Sequence, residues 1–173
     1  MKKIYFLFSA LIASFAVSAQ CNDLFISEYI EGSSNNKALE IYNGSSNTID
    51  LSNYAILRDN NGGTTSTDTF RMNGMLASYD VYVIANDQAD ALILAVADTT
   101  GRATFYNGDD ALRLANLNTG TIIDAFGVLG EDPGSGWSWI NGKTNDMTLL
   151  RNSSVDAGVT AWDTLEWTQT SKN

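Results

Sequence analysis

Ile26-Ser27-Glu28-Tyr29-Ile30-Glu31-Gly32-Ser33-Ser34-Asn35-Asn36-Lys37-Ala38-Leu39-Glu40-Ile41-Tyr42-Asn43, followed by Ile49-Asp50-Leu51-Ser52-Asn53-Tyr54, is two alternating runs joined by a polar loop, with a third run starting at Tyr54. In Leu39-Glu40-Ile41-Tyr42 the two aliphatic residues point to one face and Glu40 and Tyr42 to the other, as a half-buried strand requires. Outward from this stretch the same reading predicts strands at Leu24–Ile30, Leu39–Tyr42, Tyr54–Leu57, Thr69–Met72, Val81–Ala85, Ala103–Tyr106, Ala111–Leu114, Ile122–Phe126 and Met147–Leu150. Between them lie Asn43-Gly44, Asn61-Gly62-Gly63, Asn73-Gly74, Asn107-Gly108, Asn118-Thr119-Gly120 and Asn141-Gly142, residues that tolerate positive φ and reverse the chain. Sequential short strands, apolar on one face, predict an all-β antiparallel two-layer sandwich. One segment differs: Asp87–Ala97 is rich in Ala and Leu, with Asp87 placed to cap and Asp90 in the first turn, and it predicts one short helix crossing between the sheets. The lone proline, Pro133, sits in the Gly-rich stretch 130–136, which reads as a surface loop.

Composition narrows the chemistry. The chain has 173 residues, no histidine, one cysteine, and 20 acidic against 10 basic residues. Without histidine it can build no Ser/His/Asp triad, Cys/His dyad, His-ligated zinc site or histidine general base. Carboxylate chemistry stays open. Lys2 and Lys3 followed by the apolar run Ile4–Val17 and the small residues Ser18-Ala19 read as a secretory signal peptide, residues 1–19, too short to span a bilayer at about 20 residues. Residues 20–173 then form a single acidic domain, expected to be secreted or held at the cell surface and monomeric. Cys21 lies near enough to the cut for lipid attachment, but Gln20 occupies the preceding position, where a small residue is wanted, so plain cleavage is the preferred reading. A lone thiol makes no intrachain disulfide, and stability must come from packing.

The opening stretch resembles that of a bacterial lamin-tail domain: a strand ending in Ser-Glu, a polar loop, Glu40-Ile41-Tyr42-Asn43, then Asp50-Leu51-Ser52-Asn53-Tyr54. Asn107-Gly108-Asp109-Asp110-Ala111-Leu112, Ile123-Asp124-Ala125-Phe126-Gly127 and Leu149-Leu150-Arg151 are similar to the family's later strands, so the resemblance covers about residues 24–167. It implies an immunoglobulin-like sandwich and a non-catalytic module for recognition, adhesion or targeting. Such domains accompany extracellular nucleases, phosphatases and other hydrolases, and in animals the same fold forms the tail of nuclear lamins. Family members often continue past Trp162–Trp167 with another strand and a sorting domain, which leaves open that this chain is an accessory fragment of a larger hydrolase.

Three constellations are candidates for a site. Trp137 and Trp139 flank Ser138, so on an extended strand they share a face and could form a flat platform for a sugar ring or a partner protein; covering the core is the alternative reading. Asp109-Asp110, with Glu131-Asp132 if the loops converge, could ligate calcium; no spaced Asp-x-Asp-x-Asp run accompanies them, and turn formation explains Asp110 at least as well. No other cofactor is expected. A pair of carboxylates in a cleft would permit a small glycoside hydrolase, a minor alternative because neither distance nor burial is specified. Nucleic acid is not an expected partner: the chain is acidic, and a patch would have to be built from Arg58, Arg71 and Arg102. The partner is therefore expected to be an extracellular protein or glycan. Glu28 and Glu40 fall on opposing strands, Lys37, Arg71, Arg113 and Arg151 are the cations available, and one Arg–Glu pair is expected to pin the sandwich as a register device.

Overall fold

A computed structural model describes residues 23–170. Residues 1–19, read above as a leader, and Gln20 and Cys21 lie outside the described residues. In chain order the strands are β1 (Leu24–Glu31), β2 (Lys37–Asn43), β3 (Ile49–Asp50), β4 (Tyr54–Asp59), β5 (Asp68–Arg71), β6 (Met75–Leu76), β7 (Val81–Ala85), β8 (Thr99–Thr100), β9 (Ala111–Asn116), β10 (Thr121–Phe126), β11 (Ser138–Trp139), β12 (Gly142–Lys143), β13 (Thr148–Arg151) and β14 (Trp167–Gln169). A six-stranded sheet runs β14-β13-β1-β2-β7-β8 and a four-stranded sheet β10-β9-β4-β5, with β11-β12 as a small hairpin and β3-β6 as a separate two-stranded pair. The fold is the expected immunoglobulin-like sandwich, antiparallel except that β8 lies parallel to β7.

The alternation read from the sequence places the core. Leu39 and Ile41 are fully buried while Glu40 and Tyr42 are half-buried on the other face. They meet Ile56, Leu112, Leu114 and Phe126 of the second sheet. A bulge between Ile26 and Glu28 shifts the register of β1, so the inward series becomes Leu24, Ile26, Tyr29 instead of continuing through Glu28. The Tyr29 ring then stacks between Tyr106 at 4.5 Å and Phe126 at 4.2 Å, a ladder that joins the two layers.

Two expectations are corrected. Ala103–Tyr106 is not a strand: Arg102–Thr104 forms a 3₁₀ turn that buries the successive residues Ala103 and Thr104, which a strand's alternation would send to opposite faces. The Tyr106 hydroxyl donates to the carbonyls of Ile30 and Ala38, tying the turn to β1 and β2. The helix lies within the expected segment 87–97 but is shorter and does a different job. It is α1 (Ala91–Leu94), it starts at Asp90 without a side-chain cap, and no residue of it is buried. It connects β7 to β8 within one sheet and does not cross between sheets. Asp90 instead exchanges hydrogen bonds with Asn36, so its carboxylate is committed to the β1–β2 loop.

The pinning cation is Arg151, as an Arg–Asp pair more than an Arg–Glu one. Its guanidinium reaches the fully buried Asp124 carboxylate at 3.0 Å, from β13 to β10, and Glu166 at 2.6 Å. Asp124 also accepts the N–H groups of Ile26 and Val159, each at 2.8 Å, so its oxygens are saturated. A second bulge, between Ile122 and Asp124, is what turns Asp124 inward.

Candidate functional site

The end of the sandwich where β1, β4 and β10 finish collects the loops that carry most of the sequence candidates. Thr144, fully buried and not singled out by its sequence, joins three of them. Its hydroxyl donates to the Gly108 carbonyl and accepts the Trp137 N–H at 3.0 Å, and its own N–H donates to the Trp137 carbonyl. The Trp137 indole N–H donates to Glu131 at 3.1 Å. Glu31 takes the Lys37 ammonium at 2.6 Å and the Asp146 N–H, which fixes the start of β2 against the loop before β13. Asp109, Glu131 and Trp137 therefore do lie at one end.

Asp110, Glu131 and Asp132 there each have a structural partner. Asp110 accepts the Asn61 N–H at 3.0 Å and faces the buried Arg58, which also pairs with Asp68. Asp132 accepts the Gly134 N–H at 2.9 Å. Asp109 alone keeps a buried carboxylate oxygen without a partner, and burial, followed by the charges of Asp110, Asp132 and Glu31, lifts its carboxyl above the usual aspartate value against the pull of its own N–H. Among the described residues no group of three or more acidic side chains is arranged to hold a metal ion. Arg58, only 4% exposed and shared by Asp68 and Asp110, is withdrawn from any basic patch with Arg71 and Arg102.

The tryptophans share a side, but that side faces inward. Trp137 is buried at 7% exposure against Gly127, whose φ of +77° and absent Cβ leave room for the ring. Trp139 is half-buried on β11, and its ring fills the space where Gly142 has no side chain. Both meet Trp162 edge-on, at 5.5 and 5.8 Å, and Trp162 in turn packs on Phe126 at 5.2 Å. A flat platform of two coplanar indoles is thus absent, because Trp162 occupies the face they have in common. Beside the exposed Glu131 and Asp132, this end presents aliphatic side chains. Ile140, at the tip of the β11–β12 hairpin, is 94% exposed, and a groove of about 490 Å³ beside Trp162 is walled by Ile122, Ala125, Val128 and Leu129.

Away from this end, on the outer face of the six-stranded sheet, Glu28 and Glu40 stand directly opposite each other on β1 and β2. Ser27, the bulge residue, donates its hydroxyl to Glu40 at 2.7 Å. Burial, and then the Glu40 charge, raise the Glu28 carboxyl above the usual glutamate value. A raised acid holds its proton more tightly folded than unfolded. Its stabilising contribution is complete below the unfolded value, about 4.3, and is lost as pH rises through the folded value. Glu28→Gln is therefore expected to raise the melting temperature at pH 7 and to match the parent near pH 4; a difference that does not change with pH would refute this.

A family model described as Lamin Tail Domain matches residues 17–130. No curated protein and no solved structure matches the chain. The matched residues take in β1 to β10, so the tryptophan hairpin and the two strands that complete the six-stranded sheet lie beyond them.

Proposed function

The chain belongs to the lamin tail domain family, and from that premise we propose that it is a secreted, non-catalytic recognition module that binds an extracellular protein through the loop end of its sandwich. The observation that carries this reading is the pairing of tied-up acids with free aliphatic surface. Asp110, Glu131 and Asp132 each hold an N–H group, and Asp110 also faces Arg58, while Ile140 stays open to solvent at the hairpin tip and Val128 and Leu129 beside the Trp162 ring. Exposed aliphatic surface on a rigid support is what a protein partner buries, whereas a sugar ring needs an indole face and hydrogen-bond donors around it. No helix among the described residues is long and apolar enough to cross a membrane. The leader read in residues 1–19 supports export.

The test is binding of labelled protein to the surface of the cells that produce it. The parent domain is expected to bind saturably and Ile140→Asp to lose about tenfold or more in affinity at an unchanged melting temperature, since the side chain is 94% exposed. Equal binding by the two would refute the assignment of the surface.

One observation favours a hydrolytic reading. Glu28 and Glu40 are a close carboxylate pair with one raised member, the arrangement a glycosidase uses. The walls around them are aliphatic and offer a sugar few hydrogen bonds, which favours binding over hydrolysis. Release of reducing ends from a polysaccharide panel by the parent, and not by the Glu28→Gln/Glu40→Gln variant, would establish catalysis instead.

A further inference from the structure

In a two-layer sandwich the outer face of each sheet is expected to be polar, because only the inner face has a layer to pack against. The six-stranded sheet departs from this. On its outer face Ile30 of β1, Ala38 of β2 and Val81 and Val83 of β7 line a groove of about 600 Å³, and Leu92, Ile93 and Val96 at α1 form its far wall. Leu92 is 85% and Val96 68% exposed, so the wall is built of side chains that nothing covers. The four residues of α1 are too few to serve as the missing layer. Across β13, Leu150 lies in register with Glu28 and is itself exposed, which extends the apolar surface over four strands.

Within this surface sit Glu28 and Glu40. Directly opposed like charges on neighbouring strands are destabilising unless something neutralises them. Among the described residues the ion-paired cations Lys37, Arg58, Arg102, Arg113 and Arg151 all serve other carboxylates. The third acid of the groove, Asp90, is held by Asn36 at the opposite wall. The groove therefore combines uncovered aliphatic walls with an unneutralised acidic pair on its floor.

We propose that this outer face is a second binding surface, on which a partner protein lays an amphipathic helix with its apolar stripe across Ile30, Val83 and Leu92 and one Lys or Arg set against Glu28 and Glu40. The charge selects the occupant. A second copy of this chain related by a two-fold axis would bring the same carboxylates face to face, and nucleic acid or an anionic lipid surface would add negative charge to them. The geometry selects its form: the surface is a sheet face and not an edge, so a helix packed about 10 Å above the strands fits where an added strand would find no ladder. A single basic residue in an apolar stripe satisfies both features at once. This surface lies on the side of the sheet, apart from the loop end, and goes beyond the reading given for that end.

A synthetic helix of about five turns, ~18 residues of Leu and Gln with one Lys in its apolar stripe, is a suitable probe. Titrated against the full chain by fluorescence anisotropy, it is expected to bind, and the same peptide with Glu in place of Lys to bind about tenfold more weakly. Glu28→Gln/Glu40→Gln is expected to lower affinity for the Lys peptide about tenfold and to erase the preference for Lys over Glu. Val83→Lys should abolish binding while the melting transition persists. Amide shifts in NMR should map to β1, β2, β7 and α1. Equal affinity for the two peptides, shifts confined to the loop end, or self-association through this face in place of peptide binding would each overturn the proposal. Preference for a simple alkylammonium over the peptide would overturn it in favour of a small ligand. None of these readouts involves Ile140 or the Trp162 groove, so failure here leaves the reading of the loop end standing.

Discussion

Arg151→Met is expected to cost about 3–5 kcal/mol, the range for removing one partner of a buried ion pair. For a domain of this size that is a fall of roughly 10–15 °C in melting temperature. Arg151 bridges β13 to Asp124 of β10 and to Glu166, and its guanidinium also lies 4.9 Å above the Trp167 ring. Without it Asp124 is a fully buried charge that still accepts two backbone N–H groups but has lost its counter-ion. Met keeps most of the stem's volume, so the loss reports charge more than packing. Adding Asp124→Asn to Arg151→Met is expected to recover part of the loss, because it removes the stranded charge and keeps an acceptor. Chemical denaturation of the two single variants and the double measures the coupling. A cost under about 1 kcal/mol for Arg151→Met, as for a surface pair, would show that the guanidinium does not hold the sheets together.

Phe126→Ala should be comparably severe, about 3–5 kcal/mol, as for other buried aromatics truncated in a core. Phe126 is fully buried at the end of β10, stacks on Tyr29 at 4.2 Å, and touches Trp162 and Trp167 at 5.2 and 5.1 Å. The same ring therefore supports the interlayer ladder and the indole that floors the candidate binding groove. Two readouts follow: a lower denaturation midpoint, and red-shifted tryptophan fluorescence in the folded state as Trp162, with Trp137 and Trp139 on it, loses its seat. Phe126→Leu should retain most of the stability, since a volume-conserving apolar swap costs under about 1.5 kcal/mol. Unchanged fluorescence in folded Phe126→Ala would mean that the tryptophan cluster stands without it.

Both variants act at places where local sequence was informative and still incomplete. Asp124 and Arg151 stand in stretches that resemble family strands, yet their pairing depends on a bulge that turns Asp124 inward. A bulge of one residue leaves little trace in an alternating pattern, and after it the inward and outward sets exchange. The same event in β1 sends Tyr29 into the core and leaves Glu28 outside against Glu40. For the tryptophans, spacing correctly put Trp137 and Trp139 on one side, but the side is occupied by Trp162, which arrives from residues far along the chain. Thr144 carried no signal at all: a lone threonine in a polar loop becomes the tie between the Gly108 and Trp137 loops only once both are beside it.

Strand alternation, Asn/Gly turns and the absence of histidine are properties of neighbouring residues or of composition, and they suffice to read an all-β sandwich without histidine-based chemistry directly from the chain. Which acids meet a cation, which indoles stay covered and which sheet face is left apolar depend on residues brought together from distant positions. The backbone repeats every two residues whatever lies opposite, whereas burial and charge pairing are set by the element packed across the gap, and that element is fixed only when the layers close.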